Sequence, residues 1–248
     1  MRKSVICLTT GLALIISASS IFYYSNNKKS SNIVSQDKLN IRDTKKINNS
    51  FVANSNNSKL TNIEKVMVKP DFEVIYETQE ELEMPSQAVI RGTVIESNSF
   101  NYNGFTYTSS KVKVNSGDMN QGDIITVVEN GGVTTKGELQ LEDPEKIVIS
   151  PEEWDDPIEV SFDGAPVMKS GDKVLLYLSL SVDNEKLDGE PFYVTIGSYQ
   201  GKLTMNQYGF YERYVPDEIE GSGYTSLKMS ATEASTIISN RLSKKSKN

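Results

Sequence analysis

The chain contains no histidine and only one cysteine in 248 residues. Without imidazole there is no Ser-His or Cys-His nucleophile pair, no histidine general base and no His-ligated zinc or copper site. The single thiol, Cys7, lies inside the first apolar stretch, too early and without the small preceding residue that a lipoprotein signal requires. Past that stretch the chain has no thiolate and no disulfide. A serine-lysine dyad needs a desolvated lysine, and the Ser35 to Lys38 pair lies in a polar stretch that cannot supply one. Tryptophan is equally scarce: Trp154 is the only one.

What is present is sharply divided by region. Residues 1–70 carry 11 Lys/Arg against 3 Asp/Glu, residues 71–220 carry 10 against 29, and residues 221–248 carry 5 against 1. An acidic central region between basic ends repels phosphate backbones, so nucleic acid is not the expected partner. At the amino end, Arg2 and Lys3 precede an apolar run from Val5 to Ile16, and Ala18-Ser19-Ser20 offers small residues at a signal-peptidase spacing. Residues Ile21 to Tyr24 extend the run to about 21 residues, enough to span a bilayer if it is not cut. The expectation is therefore an extracytoplasmic protein, with residues 1–24 either a cleaved signal peptide or a membrane anchor. Residues 25–62 are rich in Asn, Ser and Lys with no apolar period, which extends the reading of a disordered tether to residues 25–70.

Order is expected from about residue 71. Thr78 and Glu81 form a capping box for a short helix that Pro85 ends. From Ala88 onward, short apolar runs alternate with Gly, Asn and Asp at intervals of about ten residues, the pattern of an all-β sandwich or barrel. Strands are expected near 88–97, 106–115, 123–129, 158–163, 173–182, 191–198, 200–205 and 210–215, with an edge strand at 225–229. Asn103-Gly104 reads as a tight hairpin turn. The runs at 123–129 and 173–182 are apolar on both faces and read as central strands. Ser150, Pro151 and Glu153 mark a helix start that Pro157 cuts short. Ser230 and Glu233 form a second capping box, opening a terminal helix with Ala234, Ile237, Ile238 and Leu242 on one face and Arg241, Lys244 and Lys245 near its end. The domain organisation is thus a β-barrel domain over 71–229 followed by a C-terminal helix and basic tail over 230–248.

The stretches AVIRGTVIES, KVKVNSGDMNQGDIITVVENGGVTTKGEL, VMKSGDKVLLYLSL and YVTIGSYQGKLTM together resemble small exported proteins of Gram-positive bacteria that have no assigned function. The resemblance covers residues 78–215 and implies a small OB-like or netrin-like β-barrel. It brings no catalytic residues with it.

The candidate site residues each carry more than one reading. Gly131 and Gly132 follow a buried strand, either to permit a sharp turn at the barrel rim or to form a ligand-contacting loop with Lys136. A phosphate cradle is not expected there, because Lys136-Gly137 reverses the Walker order and acidic residues follow. Trp154 stands among Glu152, Glu153, Asp155 and Asp156, as a solvated turn, a sugar-stacking surface, a calcium site or a carboxylate pair. The DNEKLDG stretch at 183–189 reads as a β-hairpin loop rather than an EF-hand. Tyr199, Gln200 and Lys202, with Tyr193, Tyr208, Phe210, Tyr211 and Tyr214, are either core strand residues or an aromatic ligand platform. No cofactor, metal site or catalytic residue is assigned. The expected function is a non-enzymatic envelope domain that binds a peptide, glycan or partner protein through rim loops near 130–139 and 150–157, with membrane contact through residues 4–24 if they are retained. Alternatives are a carboxylate-based or calcium-dependent glycan hydrolase and a netrin-like inhibitor of an extracellular enzyme.

Overall fold

The computed structural model describes residues 63–70, 72, 74–139, 150–181, 186–216 and 226–246. The segment read as signal or anchor and most of the tether lie outside them. Among the described residues no helix is long and apolar enough to cross a membrane. In chain order the elements are β1 (Glu64–Val68), α1 (Gln79–Glu83), β2 (Ala88–Tyr102), β3 (Phe105–Gly117), β4 (Ile124–Asn130), β5 (Gly132–Thr135), α2 (Lys136–Leu139), β6 (Pro157–Phe162), β7 (Lys173–Leu180), β8 (Lys186–Leu187), β9 (Glu190–Pro191), β10 (Tyr193–Thr195), β11 (Lys202–Met205), β12 (Phe210–Arg213), β13 (Lys228–Ser230) and α3 (Ala231–Lys245).

The chain folds as an all-β barrel, one of the two architectures its pattern predicts, with the OB-like closure that the resemblance implies. Strands β2, β3 and β4 form an antiparallel meander, and β7 pairs antiparallel with β2. Strand β10 pairs antiparallel with β7 and parallel with β4, which closes five strands into a barrel. One edge of β7 serves two partners: Leu178–Leu180 faces β10, while Val174–Leu176 faces β11. The sheet therefore divides there, with β10 curling inward and β11, β12 and β13 peeling away to support α3. The hairpin between β2 and β3 turns at Asn103 (φ 48°) and Gly104 (φ 74°), the left-handed pair that its sequence requires.

The doubly apolar run of β7 explains this arrangement. Val174, Leu176 and Leu178 join Ile90, Val94, Val112, Val114, Val127 and Met168 inside the barrel. Leu175 and Tyr177 point the other way, into a second core with Val89, Leu203, Tyr211 and the buried face of α3, Ala234, Ile237 and Ile238. Each fully buried aliphatic side chain contributes about 1.5–3 kcal/mol, so a strand buried on both faces anchors two layers at once. Both capping boxes form: Thr78 with Glu81 opens α1, and Ser230 with Glu233 opens α3. At the far end of α3, Arg241 donates to Asp118 Oδ2 at 2.5 Å, to Ser86 O and to Glu83 O, and Lys245 lies 2.9 Å from Asp118 Oδ1.

Several expectations differ from the structure. Strand β1 occupies residues assigned to the tether, because Val66 and Val68 gain a parallel partner in β6 that lies far along the chain. The run near 158–163 is a strand, but it belongs to a separate three-stranded sheet with β1 and β5, outside the barrel. Residues 151–153 form a single 3-10 turn, and Ser150 Oγ donates to Glu153 Oε2 at 3.1 Å instead of capping a helix. Leu242, expected on the packed face of α3, is 43% exposed.

Candidate functional site

Strand β4 ends at Asn130 and the chain bends through Gly131 (φ 97°) and Gly132 (φ 139°) into β5. Both angles lie where side-chain-bearing residues are strained, and space is also lacking. A Cβ on Gly131 would stand 2.6 Å from Val160 O, and one on Gly132 would stand 2.4 Å from Ser99 Oγ and Thr108 Oγ1. The two glycines therefore shape the bend that lays β5 against the β2–β3 hairpin. Beneath the bend, Thr108 Oγ1 donates to Gly131 O at 2.8 Å and Val133 N donates to Ser99 Oγ at 2.9 Å.

The segments 130–139 and 150–157 meet because they are the two sides of one connection. Thr135 is in register with Pro157 where β5 pairs with β6, and past that point Lys136 N donates to Asp156 O and Gly137 N to Trp154 O, each at 3.0 Å. The backbone at Gly137 approaches so closely that a Cβ would lie 3.1 Å from Trp154 Cγ and Cδ2. Trp154 is thus seated on a glycine and fixed by backbone bonds, while half of it (50%) remains exposed.

Carboxylates surround this seat. Lys136 Nζ lies 3.1 Å from Glu64, 3.5 Å from Glu153 and 3.8 Å from Asp156, so one ammonium serves three acids. The hydrogen bond from Lys136 to Glu64 raises the lysine pKa, with the charges of Glu64 and Glu153 adding to it. Glu153 is held below the usual carboxylate range by Ser150 and then by Lys136. Glu138 Oε2 accepts from Asn101 and from Thr134, which ties the connection to the hairpin close to its tip at Tyr102, itself 51% exposed. Glu152 and Asp155 are exposed beside Trp154. The groups of acidic side chains among the described residues do not include a set placed to hold a metal ion.

The remaining candidates lie elsewhere and are buried. Tyr199 donates to Asp163 Oδ2 at 2.8 Å and meets Phe72 and Tyr214 edge to face. Gln200 acts as a substitute strand: its Oε1 accepts from Tyr76 N at 2.8 Å and its Nε2 donates to Val74 O. Lys202 is 5% exposed and ion-pairs with Glu129, also donating to Pro166 O, while Glu129 Oε2 accepts from Met168 N. These three residues are packing and pairing groups; in the β11–β12 hairpin, Tyr208 (74%) on the turn and Phe210 (38%) on β12 present exposed aromatic surface. The Lys202–Glu129 pair has no signature in the sequence, since its members are 73 residues apart on strands that do not pair with each other. Residues 186–191 form the small β8–β9 hairpin, as the reading of that stretch as a hairpin loop expects. Compared with known proteins, the chain matches no family model, no curated protein and no solved structure.

Proposed function

We propose that the protein is an extracytoplasmic, non-enzymatic interaction domain that takes its ligand at the rim formed by residues 130–139 and 150–157. The observation that carries this reading is Trp154: a large aromatic ring packed on a glycine seat, its backbone held by hydrogen bonds, yet half exposed. Indole exposure of this kind costs solvation, and a preorganised ring offers a partner contact area without an ordering penalty. The flanking acids support binding over catalysis, because Glu153 and Asp156 both serve Lys136, and the lowered Glu153 pKa is the opposite of what a general acid requires.

Because Trp154 is the only tryptophan, its emission reports this rim alone. Titration of the full chain with wall-glycan fragments and with a lysine-rich peptide is expected to give a saturable change for one of them, abolished in Trp154→Ala. Binding that survives Trp154→Ala, or cleavage of the glycan, would remove the reading.

A further inference from the structure

In a central region with 10 Lys/Arg against 29 Asp/Glu, one wall of the barrel gathers cations. Thr93 on β2 is in register with Lys113 on β3 and with Lys173 on β7, and Lys113 is in register with Ile124 on β4. Residues in register share a face, so Lys173, Thr93, Lys113 and Ile124 form one row across four strands. The row points outward, because its neighbours Val94, Val112 and Val174 fill the barrel interior. The irregularity between Val94 and Glu96 leaves both Ile95 and Glu96 exposed on this wall, where Glu96 is in register with Lys111, two residues before Lys113 on β3. Ile95 and Ile124 are 44% and 59% exposed, and all three lysines are exposed.

Lys113 and Lys173 have no acid in register with them, whereas Lys111 has Glu96. Lys111 donates to Thr126 Oγ1 at 2.8 Å, and none of the three is in ion-pair contact with a carboxylate among the described residues. The nearest acids along the chain are engaged or set apart. Glu96 accepts from Asn98, Asp172 accepts from the Lys169 N–H, and Asp123 lies in the turn before β4.

We propose that this wall lies against an anionic lipid surface, with Lys113 and Lys173 meeting headgroup charge and Ile95 and Ile124 entering the interface. Charge complementarity selects an anionic partner and confines contact to this wall, since the acidic remainder of the domain is repelled. The two isoleucines select lipid over a hydrophilic polyanion, because a bilayer interface supplies apolar depth and a soluble polymer does not. This contact is separate from the Trp154 rim and does not depend on it.

The test uses the full chain carrying Cys7→Ala, with a single environment-sensitive label at Ile124→Cys and, in a second sample, at Tyr208→Cys on the β11–β12 turn. Each is added to vesicles of pure phosphatidylcholine or of phosphatidylcholine with phosphatidylglycerol. A blue shift at position 124, in the phosphatidylglycerol vesicles only, is the expected result. Adding Lys113→Gln and Lys173→Gln should lower the ratio of contacted to free wall about 25-fold, at roughly five-fold per lysine. The proposal is overturned by an equal response in both lipids, by an equal response at position 208, or by a response to soluble dextran sulfate without one to vesicles. Circular dichroism of the lysine variants confirms that any lost response is not lost folding.

Discussion

At the scale of single residues, the Lys202–Glu129 pair has the largest consequence. Both side chains are 5% exposed and share their remaining capacity with Pro166 O and Met168 N. Removing one member leaves an uncompensated buried charge, which costs about 3–5 kcal/mol, whereas replacing both by apolar groups is often neutral. Lys202→Met should therefore lower the chemical-denaturation midpoint sharply, and adding Glu129→Leu should restore most of it. A single variant as stable as the wild type would show that the pair is solvated in solution. Gln200 illustrates the same economy by different means: one amide supplies both the acceptor and the donor that Tyr76 and Val74 would otherwise find in a strand. Neither role could be read from composition or spacing, because each depends on a backbone brought in from more than a hundred residues away or on a partner in a different strand pair.

At the scale of elements, the bend from β4 to β5 makes a sharp prediction. Gly132→Ala meets both a left-handed backbone and contacts of 2.4 Å, while Gly122→Ala meets a similar backbone (φ 96°) with no atom within 4 Å. Strain at such a φ costs about 1 kcal/mol or more, so Gly122→Ala should lose that much, and Gly132→Ala should lose clearly more because Ser99 and Thr108 must move. Thermal melting of the two variants separates the contributions; equal losses would mean that contact plays no part. Local chemistry made much of this layer legible. The Asn103-Gly104 turn, both capping boxes, the glycine bend and the doubly apolar β7 all follow from neighbours in sequence. The errors share a cause. Strand β1 has two moderately buried valines among charged residues and becomes a strand only through parallel pairing with β6, so its local pattern resembles a tether. Strand β6 was legible as a strand but not as a member of a second sheet, because alternation specifies a buried face and not the partner. The rim could be located as loops, but its one constructed feature, the indole seated on Gly137, required the geometry.

At the scale of the whole molecule, acid should unfold the protein through a small set of carboxylates. Burial works to raise Asp118, but the Lys245 ammonium, the Val89 N–H and the Arg241 guanidinium outweigh it and hold the group below its ordinary 3.8. Glu81 and Glu233 are lowered from 4.5 by the backbone N–H groups they cap, and Glu153 by Ser150 and Lys136. A carboxyl lowered in the folded state stabilises it above the unfolded pKa, and that contribution disappears as pH falls through the folded value. Stability should be level near neutrality and fall below about pH 5, and Asp118→Asn should flatten the fall while lowering the plateau, as read by melting temperature against pH. Unchanged acid sensitivity in Asp118→Asn would place the titrating groups elsewhere. The two ends of the described chain also have a consequence under load. Strand β1 begins at Glu64 beside Lys136, near the hairpin tip, whereas α3 ends on Asp118, at the other end of the β2–β3 ladder. Tension on the chain upstream of β1 pulls along the strand, so all the register pairs from Glu64 with Ile158 to Val68 with Phe162 must shear together instead of peeling one at a time. The parallel pairing that concealed β1 in the sequence thereby makes it a mechanical clamp at the point where force would enter the domain.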